Sequence, residues 1–88
     1  MKYIINENDY IVRKIDGETM MLNPLNGESH LLDNVATRFL EAIVQYEDKG
    51  HIIQSLMQYF HEVDEPTLSE DVDNFIESLI DKKILLKR

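Results

Sequence analysis

The apolar residues of this chain change their spacing once, near Asp33, and that switch constrains the fold more than any other feature. Before it, short β-branched runs are broken by turn residues. After it, apolar side chains recur every three or four residues, as on one face of a helix. Residues 10–15 (Tyr-Ile-Val-Arg-Lys-Ile) fit a strand. Asp16-Gly17 is a hairpin signal, because a tight primed turn needs positive φ, which glycine adopts freely. Residues 19–23 make the returning strand, Pro24-Leu25-Asn26-Gly27 a second turn, and residues 28–32 a third strand. Three strands with short connections form an antiparallel meander whose outer strands keep unpaired main-chain groups on one side. Residues 1–8 read equally as a frayed arm or as a short extra strand.

Beyond the switch, Asp33 or Asn34 is positioned to cap a first helix carrying Val35, Ala36, Phe39, Leu40 and Ile43 on one face, with Gly50 where it should stop. Ile52, Ile53, Leu56, Met57 and Phe60 mark a second helix over residues 51–60. For the third, Thr67 and Glu70 form a capping box preceded by Pro66, and Leu68, Val72, Phe75, Ile76 and Leu79 give a broad apolar face. Its acidic first turns and the terminal Lys82 and Lys83 suit the helix dipole. Ile84-Leu85-Leu86 is expected as a short extended tail on the core. Strands followed by helices specify an α+β layering, in which the sheet buries one face against the helices. The length of 88 residues allows one domain, 1–88, with its core at about 10–86.

Composition narrows the functions. No apolar run approaches the roughly 18 residues of a membrane span. Residues 1–5 break off at Asn6-Glu7-Asn8-Asp9, too soon for a secretory segment. Without cysteine there are no disulfides, thiolate metal sites or thiol nucleophiles, and the default compartment is the cytoplasm. With 17 Asp and Glu against 9 Lys and Arg, the net charge is −8. Such a surface repels the phosphate backbones that supply most non-specific nucleic-acid affinity. Simple solubility accounts for most of the charge; a preference for a neutral or basic partner is the sharper reading.

The residue patterns offer little chemistry. His30, His51 and His61 form no i,i+4 pair and no HExxH motif, so a zinc site is unsupported. Residues 62–66 (Glu-Val-Asp-Glu-Pro) lack the glycine and alternating ligands of a calcium loop, and capping explains their acids better. The three glycines are separate turn punctuation, not a phosphate-cradling loop. No carboxylate pair stands out for acid–base work, and no serine has a nucleophile context. Neither a catalytic residue nor a cofactor or metal is expected. Met57 reads as core, while one of Met20 and Met21 must face outward on its strand.

The order of these anchors resembles the PqqD-like family of small peptide-binding modules, also called precursor-peptide recognition elements. The resemblance covers about residues 10–86 and rests on a hairpin, an outer strand ending in Leu32-Asp33, and helices ending in Asp71-Val72-Asp73-Asn74-Phe75-Ile76-Glu77-Ser78-Leu79. Asp33 stands where the family commonly has Asn, and Lys83 stands where Gly commonly precedes the closing hydrophobic pair. The resemblance implies a fold like a winged helix-turn-helix and no catalysis. It implies binding of the leader of a ribosomally made precursor peptide, presented to a partner such as a radical-SAM enzyme, a cyclase or a leader protease. The leader would add as a strand along Glu28, Ser29, His30, Leu31 and Leu32, facing the third helix around Asp71, Val72, Phe75, Ile76 and Leu79. Main-chain hydrogen bonds then supply affinity and side-chain pockets selectivity. Val72, Phe75 and Leu79 serve the core as readily as the groove, and Ile76, off their stripe, is the expected groove residue.

Two other classes compete. A DNA-binding winged helix should carry several Lys or Arg on its recognition helix. Residues 51–60 have none, and the third helix lies in a stretch from Glu62 to Asp81 without one basic residue. A regulatory subunit would pack on its enzyme and show no peptide affinity of its own. Proline separates the strand-addition reading from these: Ser29 and His30 aim their N–H groups in opposite directions, so a proline at only one should block a peptide.

Overall fold

The structure is a computed structural model that describes residues 2–88. Its elements run β1 (Tyr3–Ile5), β2 (Ile11–Ile15), β3 (Glu18–Leu22), β4 (Ser29–Leu32), α1 (Asn34–Gln45), α2 (Lys49–Met57), α3 (Glu65–Asp81) and β5 (Leu85–Lys87). Strands β2, β3 and β4 form the expected antiparallel meander in that order. Asp16 and Gly17, at φ +53° and +80°, make the primed turn between the first two. The second turn is a G1 bulge: Gly27, at φ +75°, donates its N–H to the Asn23 carbonyl, and Asn23 donates to Glu28.

Alternation sends Thr19 and Met21 into the core, while Ile11, Ile15, Met20, Leu22 and Leu31 stay exposed on the other face. Met20 is 47% exposed and Met21 0%, so Met20 is the outward methionine. The inner face packs on the helices through Met21, Phe39, Ile43, Leu56, Val72 and Ile84. Thr19 and Thr37 pair their buried hydroxyls at 2.9 Å, joining β3 to α1.

The chain ends settle the first of the open readings. Residues 3–5 are a strand, and it pairs antiparallel with β5, the expected tail, in a separate two-stranded sheet. Main-chain bonds from Lys2 to Arg88 and back, at 3.0 and 2.7 Å, extend the pairing.

Aspartates at three chain reversals cap the helices, as expected for the first, and at the other two they move the helix starts. Asp33 caps α1, its carboxylate accepting from the Ala36 N–H at 2.8 Å. Val35 points to solvent, and Ala42 takes its place in the buried face. Asp48 caps α2 through the His51 N–H at 2.9 Å. That helix therefore starts two residues early, contains Gly50, and ends before Phe60. For α3 the cap is Asp64, accepting from the Thr67 N–H at 2.8 Å, and Pro66 lies in the first turn. Thr67 is thus inside the helix and the Thr67–Glu70 box does not form its start. Both Asp48 and Asp64 are held below the usual carboxylate pKa, Asp48 chiefly by the His51 N–H and Asp64 chiefly by Thr67.

At its other end α3 closes in a Schellman motif: Ile84 N–H reaches the Leu79 carbonyl and Lys83 N–H the Ile80 carbonyl, both at 2.9 Å. Lys83 occupies the left-handed position at φ +59°, where glycine is usual. Asn6, from the N-terminal segment, donates to its carbonyl at 2.9 Å. No helix among the described residues is long and apolar enough to cross a membrane.

Candidate functional site

The main-chain direction of every residue on β4 follows from two hairpins. The two residues flanking a two-residue primed turn form a hydrogen-bonded pair, so Ile15 and Glu18 bond each other and Glu18, Met20 and Leu22 aim at β2. Thr19 and Met21 therefore aim at β4, opposite Leu32 and His30. The bond from Asn23 to Glu28, at 2.8 Å, fixes the same phase independently at the other end. His30 and Leu32 are thus tied to β3, and the N–H and C=O groups of Ser29 and Leu31 face away from the sheet. The far side of β4 pairs with no strand among the described residues. It is an open edge offering two donors and two acceptors.

A second wall comes from α3. Tyr10, just before β2 and only 4% exposed, sets its hydroxyl 3.0 Å from the Glu28 carboxylate and 3.0 Å from the Lys82 carbonyl. With one proton, it donates to one of the two at a time. This links the start of β4 to the C-terminal end of α3. Phe75 precedes Lys82 by seven residues, two helical turns, so it lies on the same flank, as do Ser78 and Asp71. Phe75 is half-buried and meets Phe39 of α1 edge-on at 5.7 Å between ring centres. Tyr10 thus joins the start of β4 to the flank of α3 that carries Phe75.

The expected site residues divide accordingly. Glu28 precedes β4, Ser29, His30, Leu31 and Leu32 form it, and Asp71 and Phe75 share the flank of α3 that carries Lys82. Val72, Leu79 and Ile76 are 0%, 2% and 9% exposed and belong to the core. Ile76, the expected groove residue, lies instead towards α2, over a depression it shares with Ile52, Lys49 and Asp73. On that side Lys49 and Asp73 pair at 2.5 Å. The reason is rotational: Ile76 sits on the opposite side of the buried stripe from Phe75. Tyr10, Ser78 and Lys82 were not legible as site residues.

The electrostatics centre on Glu28. Its carboxyl is held below the usual range, first by the Tyr10 hydroxyl and then by His30. Burial pushes the Tyr10 phenol up, and the Glu28 charge adds to that. His30 Nε2 lies 3.4 Å from the same Glu28 oxygen, close enough for attraction when protonated but not aligned as a hydrogen bond. It is buried and has no hydrogen-bond partner.

The family model for coenzyme PQQ synthesis protein D (PqqD) matches residues 18–85, from the second strand of the meander to β5. The chain belongs to the PqqD family. Among solved structures, its fold is similar to TbiB1 in complex with the TbiA(beta) leader peptide: 25% identity, TM-score 0.81, 100% of this chain and 98% of that one. It is also similar to lasso peptide synthetase B1 complexed with the leader peptide: 16% identity, TM-score 0.82, 99% of this chain and 100% of that one. The second likeness is one of fold alone. No curated protein matches the sequence. In PqqD-family terms, the departure at Lys83 lies in the α3 terminus, outside the β4 edge.

Proposed function

We propose that this protein binds the leader segment of a ribosomally made precursor peptide and presents it to a modifying enzyme or leader protease, without catalysing a reaction itself. The observation that carries the reading is the open β4 edge, where the Ser29 and Leu31 main chain faces away from the sheet. An extended peptide can satisfy those four groups only by pairing as an added strand. Family membership and the likeness to TbiB1, which is bound to a leader peptide, support it. Asp71 and Phe75 contribute from the helix, while Val72 and Leu79 anchor that helix in the core. The protein acts in the cytoplasm, where precursor peptides are made, and needs neither metal nor nucleotide.

The test is calorimetric titration with a synthetic leader from a precursor encoded beside this gene, with and without chelator, together with amide NMR of the complex. One-to-one binding indifferent to chelator is expected, with the Ser29 and Leu31 amides becoming protected. Binding that leaves both amides exchanging freely, or that disappears with chelator, overturns the reading.

A further inference from the structure

Away from the β4 edge, a second group of side chains is arranged around one arginine. Asn34, Arg38, Glu41 and Gln45 follow one another at helical spacing along a single stripe of α1. Two depressions open on that stripe. One, towards α2, is lined by Arg38, Glu41, Gln45, Ser55 and Tyr59. The other, towards the β2–β3 hairpin, is lined by Lys14, Gly17 and Asn34, and again by Arg38 and Glu41. Glu41 is the only carboxylate in either lining, and it already accepts from Lys14 Nζ at 2.6 Å. Arg38 lies over the Tyr59 ring, with 3.9 Å from guanidinium carbon to ring centre. Among the described residues it makes no ion pair and no hydrogen bond. The Lys14–Glu41 pair cancels, so Arg38 is the uncompensated cation of the site, in a chain of net charge −8.

Stacking occupies a face of a guanidinium and leaves its N–H edges, which match a carboxylate through two parallel hydrogen bonds. It also restrains the long side chain, so less freedom is lost when a partner arrives. Tyr59 is 56% exposed, and exposed tyrosine and arginine are the residues that most often dominate protein–protein contacts. Gln45, Ser55 and the Tyr59 hydroxyl add further donors around the same depression. A nucleic-acid backbone is a poorer match, because it needs several cations and the site offers one free one. We propose that the Arg38–Tyr59 shelf is a docking site for a carboxylate of a partner protein, separate from the leader-binding edge. An acidic side chain and a chain's C-terminal carboxylate share the required chemistry. The shelf adjoins β2, the edge of the meander opposite β4, so a protein seated on it leaves β4 open. The inference stands on the surroundings of Arg38 and not on strand addition.

Two random dodecapeptide phage libraries test it, one displayed with the peptide C-terminus fused and one with it free. Both are cleared on the full chain carrying Arg38→Ala and then panned on wild type. Asp or Glu enriched in the fused library assigns a side-chain carboxylate; selection confined to the free-ended library assigns a chain terminus. In resynthesised peptides, replacing that carboxylate by a carboxamide should weaken wild-type binding about tenfold. Arg38→Lys should weaken it similarly, because lysine keeps the charge but not the fork, and Tyr59→Leu about threefold. These two variants carry the test if Arg38→Ala does not fold. Ser29→Pro, at the far edge, should bind the selected peptides as wild type does. Pools without a required carboxylate, or peptides that bind the Arg38 variants as tightly as wild type, overturn the proposal. So do peptides lost with Ser29→Pro, which occupy the β4 edge instead. A single-stranded oligonucleotide that binds wild type and not Arg38→Ala would give the shelf to phosphate and overturn it too.

Discussion

Two prolines, one residue apart, should have opposite effects on this protein. At position 30 the native N–H bonds the Met21 carbonyl across the sheet, and Met21 is 0% exposed. His30→Pro removes that donor and strands a buried carbonyl, which costs about 1–3 kcal/mol before any clash of the ring. A chain of this length has roughly 4–13 kcal/mol of total stability. The loss should therefore lower the thermal midpoint by roughly 4–24 °C. At position 29 the N–H faces away from β3, so Ser29→Pro removes no bond of the free protein and should stay within about 1 kcal/mol of wild type. It does remove one hydrogen bond to an added strand and puts a ring in its path, which should weaken leader binding at least about tenfold. Urea denaturation and fluorescence anisotropy with a labelled leader read the two quantities separately. A Ser29→Pro protein that is folded and binds normally, or a His30→Pro protein as stable as wild type, would refute the assigned strand phase.

Lys83→Gly should stabilise the fold by about 1 kcal/mol, because a left-handed lysine costs more than the added chain entropy of glycine; an unchanged or lower melting midpoint argues against this. Thr37→Val should cost about 1–3 kcal/mol by orphaning the Thr19 hydroxyl, whereas the Thr19→Val/Thr37→Val double variant should recover most of that loss, as a double-mutant cycle in urea would show. Asp48, Asp64 and Glu28 have lowered folded-state pKa values, so their contribution is complete above the ordinary carboxylate range. It is lost as pH falls through the folded values, and melting midpoints should decline below about pH 4. Duplex DNA should not bind at physiological salt; a salt-sensitive micromolar shift in a mobility assay would contradict this.

The meander, the three helices and the open edge could be read from residue order, because turn glycines and apolar spacing act locally. What escaped was rotational or long-range. The buried stripe of α3 is centred on Val72, and only the packed structure tells that Ile76 turns towards α2. Asp48 and Asp64 compete with equally suitable capping residues nearby, and the choice falls to whichever carboxylate the chain reversal brings to the free N–H groups. The β1–β5 pairing joins residues from opposite ends of the chain, such as Tyr3 and Lys87, beyond the reach of any periodicity. Tyr10 gains its role from a carbonyl on α3 that no local pattern ties to it.

That β1–β5 ladder also determines how this unit can be joined to other proteins. Since Lys2 and Arg88 bond each other, a host chain could enter and leave the unit at one point, as a bead is threaded through a single eyelet. Insertion into a surface loop would then need no long tether, and circular permutation could move the ends with a short linker. Cutting the ladder, by contrast, would release Asn6 from the Lys83 carbonyl and loosen the terminus of α3 beside Tyr10. A fusion partner that pulled the two ends apart would thus be felt at the start of β4 without touching it.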